Sequence, residues 1–428
     1  MPLPLRIALF IAAVLVLIVG TSVYVHRRAS ALLRLGRTGK RVLAAVFVVG
    51  PISMMLARSL EPSLPREGSA ALGILGATIV LGVWISTVLL WAVDVPAWLA
   101  NRVAQFRKGD EASAALDSSA TEPHAERAEP EEAPPADASA PALASALPLS
   151  RRSVLRQSAT GAALSLGFGS SVYGSLFGRH DYDLHEVPIA IPGLPRQLDG
   201  YRIAQISDIH VGTYVGEREL RSAVELMRRA RPDLIVMTGD LVDHDVAYAP
   251  QLGRLVRSFS ELPVRDGVAI IPGNHDYYAG VDEVLRACAE GGGRVLRNSG
   301  RLIGDPGASF GLIGVDDGWA ERNGYPGGPD LDRALAMVPD DVPKVLLCHN
   351  PVFFPEARGR IALQLSGHTH GGQVNLGLRP AELVLDYVEG VYTEEGSQLY
   401  VNRGFGTAGP PSRVQAPPEV NVVVLTSA

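Results

Sequence analysis

Three uncharged apolar runs near the start of the chain decide where part of it must lie. They cover residues 7–25, 42–57 and 68–93, and each is bounded by charged residues. A helix needs about 20 apolar residues to cross a bilayer, so the first and third runs are long enough. The second run is shorter and contains Pro51. A run of this length also suits a buried core helix, but the two neighbouring apolar runs favour insertion into the membrane. We therefore predict a transmembrane helical region over residues 1–109.

The loops between these runs differ in charge. All charged residues of the first loop are basic: Arg27, Arg28, Arg34, Arg37, Lys40 and Arg41. The loop after the second run mixes both signs instead. Because positively charged loops stay in the cytoplasm, we expect the first loop inside, the N-terminus outside and the third span to return to the cytoplasm.

The next segments connect this region to the rest of the chain. Residues 110–150 are rich in Ala, Pro, Glu and Ser, with almost no aromatic residues, which predicts a disordered linker. Residues 151–178 begin with Arg151 and Arg152 and then become uncharged, resembling a twin-arginine export signal. A fourth transmembrane span preceded by cytoplasmic charge fits equally well. Both interpretations predict a multi-pass protein of the cell membrane, with residues 179–428 on the extracytoplasmic side.

The cysteine content excludes two kinds of architecture, whereas the charge balance excludes little because charge can be local. The 428 residues include 39 Lys and Arg against 45 Asp and Glu, a net charge of −6, so no basic excess suggests a nucleic-acid partner. Two cysteines are too few for a disulfide scaffold or a thiolate zinc cluster.

Beyond residue 182, short β-rich runs alternate with amphipathic segments. The predicted strands are 203–207, 234–238, 268–271, 309–315, 344–347 and 361–365. The predicted helices are 217–230, 281–290 and 331–338. This alternation is typical of an α/β domain.

Polar residues follow five of these strands. They are Asp208 with His210, Asp240 with Asp243, Asn274 with His275 and Asp276, His349 with Asn350, and His368 with His370. Ligands and catalytic groups of open α/β sheets gather at the carboxyl ends of strands. Glycines precede three of the groups and allow the backbone to turn sharply. The sequence therefore predicts a metal site.

These motifs resemble the calcineurin-like metallophosphoesterase superfamily, whose pattern is DxH, GDxxD, GNH(D/E), a lone His and GHxH. The resemblance covers residues 201–425, and residues 367–373 and 402–411 look more narrowly like bacterial membrane-linked or twin-arginine-exported phosphodiesterases. That branch includes relatives acting on the pyrophosphate of lipid A precursors. The resemblance implies a four-layer α-β-β-α sandwich over residues 179–428, preceded by the transmembrane helices.

The resemblance also implies two divalent metal ions. The implied ligands of the first are Asp208, His210 and His370, those of the second are Asn274, His349 and His368, and Asp240 bridges both. Carboxylate, amide and imidazole ligands without thiolate suit Mn²⁺, Fe or Zn²⁺. Two ions ~3.5–4 Å apart activate a bridging water as a hydroxide nucleophile and clamp the attacking and departing oxygens.

Four further residues receive roles around that site. His275 adjoins Asn274 and is placed to protonate the leaving oxygen, with Asp276 orienting its ring or, alternatively, capping the following helix. Asp243 is expected to orient metal ligands through hydrogen bonds. Arg403 could meet a substrate phosphate, or be an ordinary solvated arginine.

The expected function is a membrane-anchored phosphohydrolase that cleaves phosphodiester or pyrophosphate bonds, with a phosphate-ester substrate. A lipid or envelope substrate would suit the membrane location. Two alternatives stay open: a sensor module that binds metal or phosphate without catalysis, and a nuclease, against which the acidic balance weighs.

Overall fold

The structure is a computed structural model that describes residues 3–61, 63–119 and 151–428. Four long helices come first: α1 (Leu3–Leu32), α2 (Arg37–Ser59), α3 (Arg66–Ser119) and α4 (Arg151–Leu176). Within the described residues, three segments are long and apolar enough to cross a membrane: Ala12–Leu32, Arg37–Ser59 and Arg66–Val103. Helix α4 is not among them, so a fourth span stays a prediction, as does the twin-arginine signal.

The start of the predicted linker is helical instead. Residues 110–119, expected to be disordered, continue helix α3 to Ser119. Alanine and glutamate are strong helix formers, and this stretch contains both, so it extends a helix that is already nucleated. The rest of the predicted linker, 120–150, lies outside the described residues.

The chain divides into two compact units. One contains residues 1–47 and 81–169, and the other contains residues 48–80 and 170–428. The second unit carries every predicted site residue. Its strands are β1 (Asp183–Ile191), β2 (Arg202–Ile206), β3 (Leu234–Thr238), β4 (Val268–Ile271), β5 (Arg294–Val295), β6 (Ser299–Asp305), β7 (Ala308–Gly314), β8 (Lys344–Leu347), β9 (Leu363–Ser366), β10 (Gly390–Glu394), β11 (Ser397–Val401) and β12 (Glu419–Ser427).

These strands form two six-stranded sheets. The first has the order β1-β12-β2-β3-β4-β5, and the second has the order β10-β11-β9-β8-β7-β6. In the first sheet β2, β3, β4 and β5 run parallel, while β12 is antiparallel to β2. In the second sheet β7, β8, β9 and β11 run parallel, and the edge strands β6 and β10 are antiparallel. The parallel strands therefore deliver their carboxyl ends side by side.

The two sheets pack face to face and are covered by helices. An apolar core between them joins Val236 and Ile271 of the first sheet to Leu347 and Leu365 of the second. The other face of the first sheet packs on α5 (Glu217–Ala230), α6 (Ala249–Ser260) and α8 (Val281–Glu290). Helices α9 (Leu331–Leu335) and α10 (Phe354–Ala357) lie on the second sheet. The predicted α-β-β-α sandwich is confirmed.

Candidate metal centre

The predicted ligands begin directly after the parallel strands. The short helix α7 (Asn274–Ala279) starts with one of them, and others follow β2, β3, β8 and β9 within a few residues. Close backbone approach requires glycine here: a Cβ on Gly273 would lie 2.3 Å from the backbone nitrogen of Asp240, and one on Gly367 would lie 2.0 Å from Oγ of Ser207. The segments that follow the strand ends thus lie in direct contact.

Several of these residues have unusual backbone conformations. Positive φ angles occur at Asp208, His210, Asp240, His368 and His370, between 50° and 74°. Residues other than glycine pay ~1–3 kcal/mol for such angles, and they persist where surrounding contacts over-determine them, often at functional sites. The surrounding structure therefore holds the backbone of these ligand residues in conformations that a free loop would avoid.

The first group of ligands converges as the resemblance implies. Nε2 of His210 lies 3.1 Å from Nε2 of His370, which in turn lies 3.4 Å from Oδ1 of Asp208. All three residues are buried. One ligand atom from each falls within 4.8 Å of the others, a spacing that one metal ion could fill.

Asp240 lies between this group and a second one. Its Oδ2 is 3.7 Å from Nε2 of His210, and its Oδ1 is 3.3 Å from Nε2 of His349. Nδ1 of His368 is 3.2 Å from that same nitrogen of His349. Burial alone would raise the pKa of Asp240, but the charges of His349 and His210 outweigh it and hold the pKa well below its usual range. The two oxygens of one ionised carboxylate thus face two clusters of histidines.

The donor atoms fit divalent metal ions. Oδ1 of Asn274 and Nδ1 of His210 are buried without a hydrogen-bond partner among the described residues. Uncompensated burial of a polar atom is costly, and a cation is one way to compensate an amide oxygen. Nδ1 of His349 lies 2.8 Å from the carbonyl oxygen of Thr238, which fixes the proton there and leaves Nε2 free as a ligand. The predicted ligands could therefore hold two oxygen- and nitrogen-coordinated ions.

His275 stands beside the centre and contacts Asp243. Its Nδ1 lies 2.6 Å from the backbone carbonyl oxygen of Asp243 and 3.5 Å from Oδ1 of the same residue. Burial would lower the pKa of His275, but the hydrogen bond to Asp243 and the charge of Asp240 outweigh it and raise the pKa to about 9. The contacts with Asp243 and Asp240 thus favour the protonated imidazole, which is the form that an acid requires.

Asp276 does not orient that ring, contrary to the first of its two predicted roles. Its Oδ1 accepts hydrogen bonds from the backbone N–H groups of Leu241 and Val242, at 2.9 and 3.1 Å. Its Oδ2 accepts the N–H of Gly273 at 2.8 Å. The alternative prediction, a helix cap, describes the contact at Gly273. Asp276 thus clamps two strand ends together and makes no contact with the imidazole.

Replacing Asp276 with alanine should therefore destabilise the fold. Three buried backbone donors would lose their acceptor, and each unsatisfied donor costs ~1–3 kcal/mol. One kcal/mol shifts Tm by ~2–4 °C in a domain of this size, so we expect a drop of ~5 °C or more by thermal unfolding in detergent. Asp341→Ala, at an exposed carboxylate, is the control. An unchanged Tm for Asp276→Ala would argue against the clamp.

Arg403, whose predicted contact with a substrate phosphate stays a prediction, uses Nη2 of its guanidinium for two ion pairs. Its Nη2 lies 2.9 Å from a carboxylate oxygen of Asp183 and 2.5 Å from one of Glu419. Burial alone would lower the pKa of Arg403, but the charges of Glu419 and Glu389 outweigh burial and raise the pKa. The guanidinium therefore stays charged and keeps its ion pairs. Arg403 therefore ties β1 to β12.

A second arginine, which the motifs did not indicate, lies directly beside the centre. Arg413 is fully buried, and its guanidinium donates to the backbone carbonyl oxygens of His370, Arg403 and Gly406. Its Nη2 also lies 2.8 Å from Nδ1 of His370. The pKa of His370 is lowered mainly by burial and secondly by the charge of Arg413, and the imidazole therefore stays neutral. Its place beside the Gly-rich segment 402–411 was the only sequence signal for it.

Comparison with known proteins agrees with the geometry. The sequence profile of the calcineurin-like phosphoesterase family matches residues 201–372. The uncharacterized metallophosphoesterase YkuE of Bacillus subtilis (strain 168) is 31% identical over 62% of this chain and 92% of its own. An uncharacterized metallophosphoesterase of Aquifex aeolicus is 33% identical over 52% of this chain and 84% of its own.

A third relative is the zebrafish (Danio rerio) transmembrane protein with metallophosphoesterase domain, 33% identical over 60% of each chain. The match therefore leaves two fifths of that protein uncovered, whereas it covers most of the two bacterial ones. With a relative above 30% identity matched over nearly its whole length, this chain belongs to the calcineurin-like phosphoesterase family.

Proposed function

We propose that this protein is a membrane-anchored, dinuclear metal-dependent phosphohydrolase that cleaves phosphodiester or pyrophosphate bonds. Family membership supports the hydrolysis of phosphoric esters. One observation carries the dinuclear part: the two oxygens of buried Asp240 face His210 on one side and His349 on the other. A bridging carboxylate serves two ions in this way, as two-metal phosphoesterases require.

The chain's own residues divide the work around these ions. When bound, two divalent ions supply Lewis acidity, which makes water a better nucleophile and neutralises charge on the phosphoryl oxygens. Asp208, Asp240 and Asn274 would hold the ions through oxygen, while four histidines would hold them through nitrogen. The carbonyl oxygen of Asp243 accepts the Nδ1 proton of His275, so Nε2 is the atom that donates a proton to the leaving oxygen.

Two alternative functions have less support. A sensor module that lost catalysis would lack some ligands, whereas every motif of the family pattern is present here. A nuclease would gain from a basic surface, but the net charge is −6. Membrane attachment favours a lipid-linked or envelope phosphate ester, with Mn²⁺, Fe or Zn²⁺ as the metal.

A substrate panel tests the proposal. Full-length protein in detergent, loaded with Mn²⁺, would be assayed on a phosphomonoester, a phosphodiester, a lipid pyrophosphate and single-stranded DNA. We expect the fastest turnover on the diester or the pyrophosphate. Faster cleavage of DNA would support the nuclease instead, and no turnover on any substrate while metal is bound would support the sensor module.

We further propose that the protein is a multi-pass protein of the cell membrane with an extracytoplasmic phosphoesterase domain. Residues 151–178, as a fourth span or a twin-arginine signal, would deliver the domain there. Single cysteines at the exposed positions Ser63 and Thr393 should then react with an impermeant thiol reagent on intact cells. Thr38→Cys, in the basic loop, should react only after permeabilisation. Labelling at 38 but not at 393 would reverse the orientation.

A further inference from the structure

The loop between α2 and α3 meets the phosphoesterase domain through a largely buried carboxylate. The Glu61 side chain is only 11% exposed. Its Oε1 accepts hydrogen bonds from the hydroxyl groups of Thr213 and Tyr248, the second at 3.1 Å. Its Oε2 lies 3.0 Å from Nε2 of His244. A charge is buried at such cost only when it is well paired, so this contact is specific.

His244 extends this contact toward the metal centre. Its other ring nitrogen, Nδ1, lies 2.7 Å from Oδ2 of Asp243, so the imidazole bridges two carboxylates. The more exposed Arg58 guanidinium flanks the same place, 2.9 Å from that nitrogen and 3.8 Å from Oδ2 of Asp243. The orientation of Asp243 is therefore influenced by His244, by Arg58 at the end of α2 and by Glu61 in the loop that follows.

Asp243 then contacts the two histidines whose positions matter most. Its Oδ1 lies 3.6 Å from Nδ1 of His210, the candidate ligand, and 3.5 Å from Nδ1 of His275, the candidate acid. These distances are longer than a good hydrogen bond, so the contact is electrostatic, and a carboxylate placed beside the outer nitrogen of a metal-binding histidine orients its ring and raises its basicity. A chain of contacts thus runs from Glu61 through His244 and Asp243 to both rings.

A second anchor fixes the same loop. Nε of Arg66 donates to the backbone carbonyl oxygen of Gly212 at 3.0 Å, and its Nη2 lies 3.7 Å from Oε2 of Glu219. Gly212 follows His210 by two residues. Residues 48–80 and 170–428 form one compact unit, which is consistent with a loop docked at both ends.

We propose that Glu61 is a positioning residue of the metal centre and acts through His244 and Asp243. The loop between α2 and α3 would then complete the site. This inference rests on the proposed function, because it assigns Glu61 a role toward the same two ions. It also means that the phosphoesterase domain alone would lack one of its supports.

The test measures metal affinity as well as turnover in the full-length protein. Free Mn²⁺ would be followed by its electron paramagnetic resonance signal during titration. Removing a side chain that supports a metal ligand costs ~10–100-fold in metal affinity or activity. We expect the lower end of this range for Glu61→Ala, with kcat reduced and KM little changed. Glu61→Gln keeps an acceptor and should restore most of the affinity. Glu67→Ala, at an exposed glutamate in the same region, should match the parent protein.

A double-mutant cycle separates this path from general loosening. If Glu61 acts through His244, the double variant Glu61→Ala/His244→Ala should bind Mn²⁺ no more weakly than His244→Ala alone. Additive losses, or wild-type affinity in Glu61→Ala, would overturn the proposal. If Glu61→Ala is poorly folded, Glu61→Asp, which keeps the charge but draws the carboxylate back from His244, carries the same cycle. A parent protein that binds no Mn²⁺ would contradict the proposed function itself. If Asp240→Asn loses Mn²⁺ but Glu61→Ala does not, the proposed function stands and the role of Glu61 is overturned.

Discussion

Asp240→Asn is expected to abolish most of the metal binding and nearly all phosphodiesterase turnover. The variant keeps the size of the side chain but removes the charge that faces both histidine clusters. Losing an outer-shell partner already costs up to ~100-fold, so loss of a ligand shared by two ions should cost more. Metal content by elemental analysis and kcat/KM on a diester measure the effect.

The control for this variant is Asp341→Asn, which removes one charge from an exposed position. It should leave metal content and rate at the level of the parent protein. A folded Asp240→Asn protein that retains two ions and full turnover would show that Asp240 bridges nothing.

His275→Ala should lose activity in proportion to how much the leaving group needs a proton. General acid catalysis contributes ~10²–10⁴-fold, and we expect a loss of that size on an alkyl diester. A nitrophenyl ester, whose leaving group departs as the anion, should lose far less. The hydrogen bond to Asp243 raises the pKa of the His275 imidazole and so favours the protonated ring, which is the state that can donate.

Metal content distinguishes the acid from a ligand in this experiment. His275→Ala should bind as much metal as the parent protein, whereas His349→Ala should lose metal and slow both esters alike. Equal losses of His275→Ala on both esters, or loss of metal, would remove His275 from the acid role and make it a ligand, which its position near His210 and Asp240 allows.

Six of the twelve strands in the described residues, and the motifs that follow five of them, were readable from the sequence because burial on both faces leaves a simple signal. The strands β1, β5, β6, β10, β11 and β12 were not predicted. The prediction 234–238 coincides with β3, whose five residues are all buried, and 268–271 coincides with β4. Helix α6 was missed although Leu252, Leu255, Val256 and Phe259 have helical spacing. Its Pro250 lies in the first turn, where proline is tolerated, so the proline does not argue against a helix.

Contacts between distant segments were not readable. Nothing in the local sequence distinguishes Asp276 as a clamp on residues 241–242 from Asp276 as a partner of His275, because the choice depends on how two strands meet. The same holds for Arg413 beside His370 and for Glu61 beside His244, which is 183 positions away. Motif spacing predicts which residue types gather, and the tertiary fold decides which atoms touch.

The central claim is that two ions act together at Asp240, and a metal titration of turnover tests it most directly. Full-length protein would be stripped with a chelator and titrated with Mn²⁺, while bound metal and hydrolysis of a nitrophenyl diester are measured in the same samples. The account predicts no turnover in the stripped protein and full turnover only as the second equivalent binds. Full turnover at one bound ion, or turnover without metal, would contradict it.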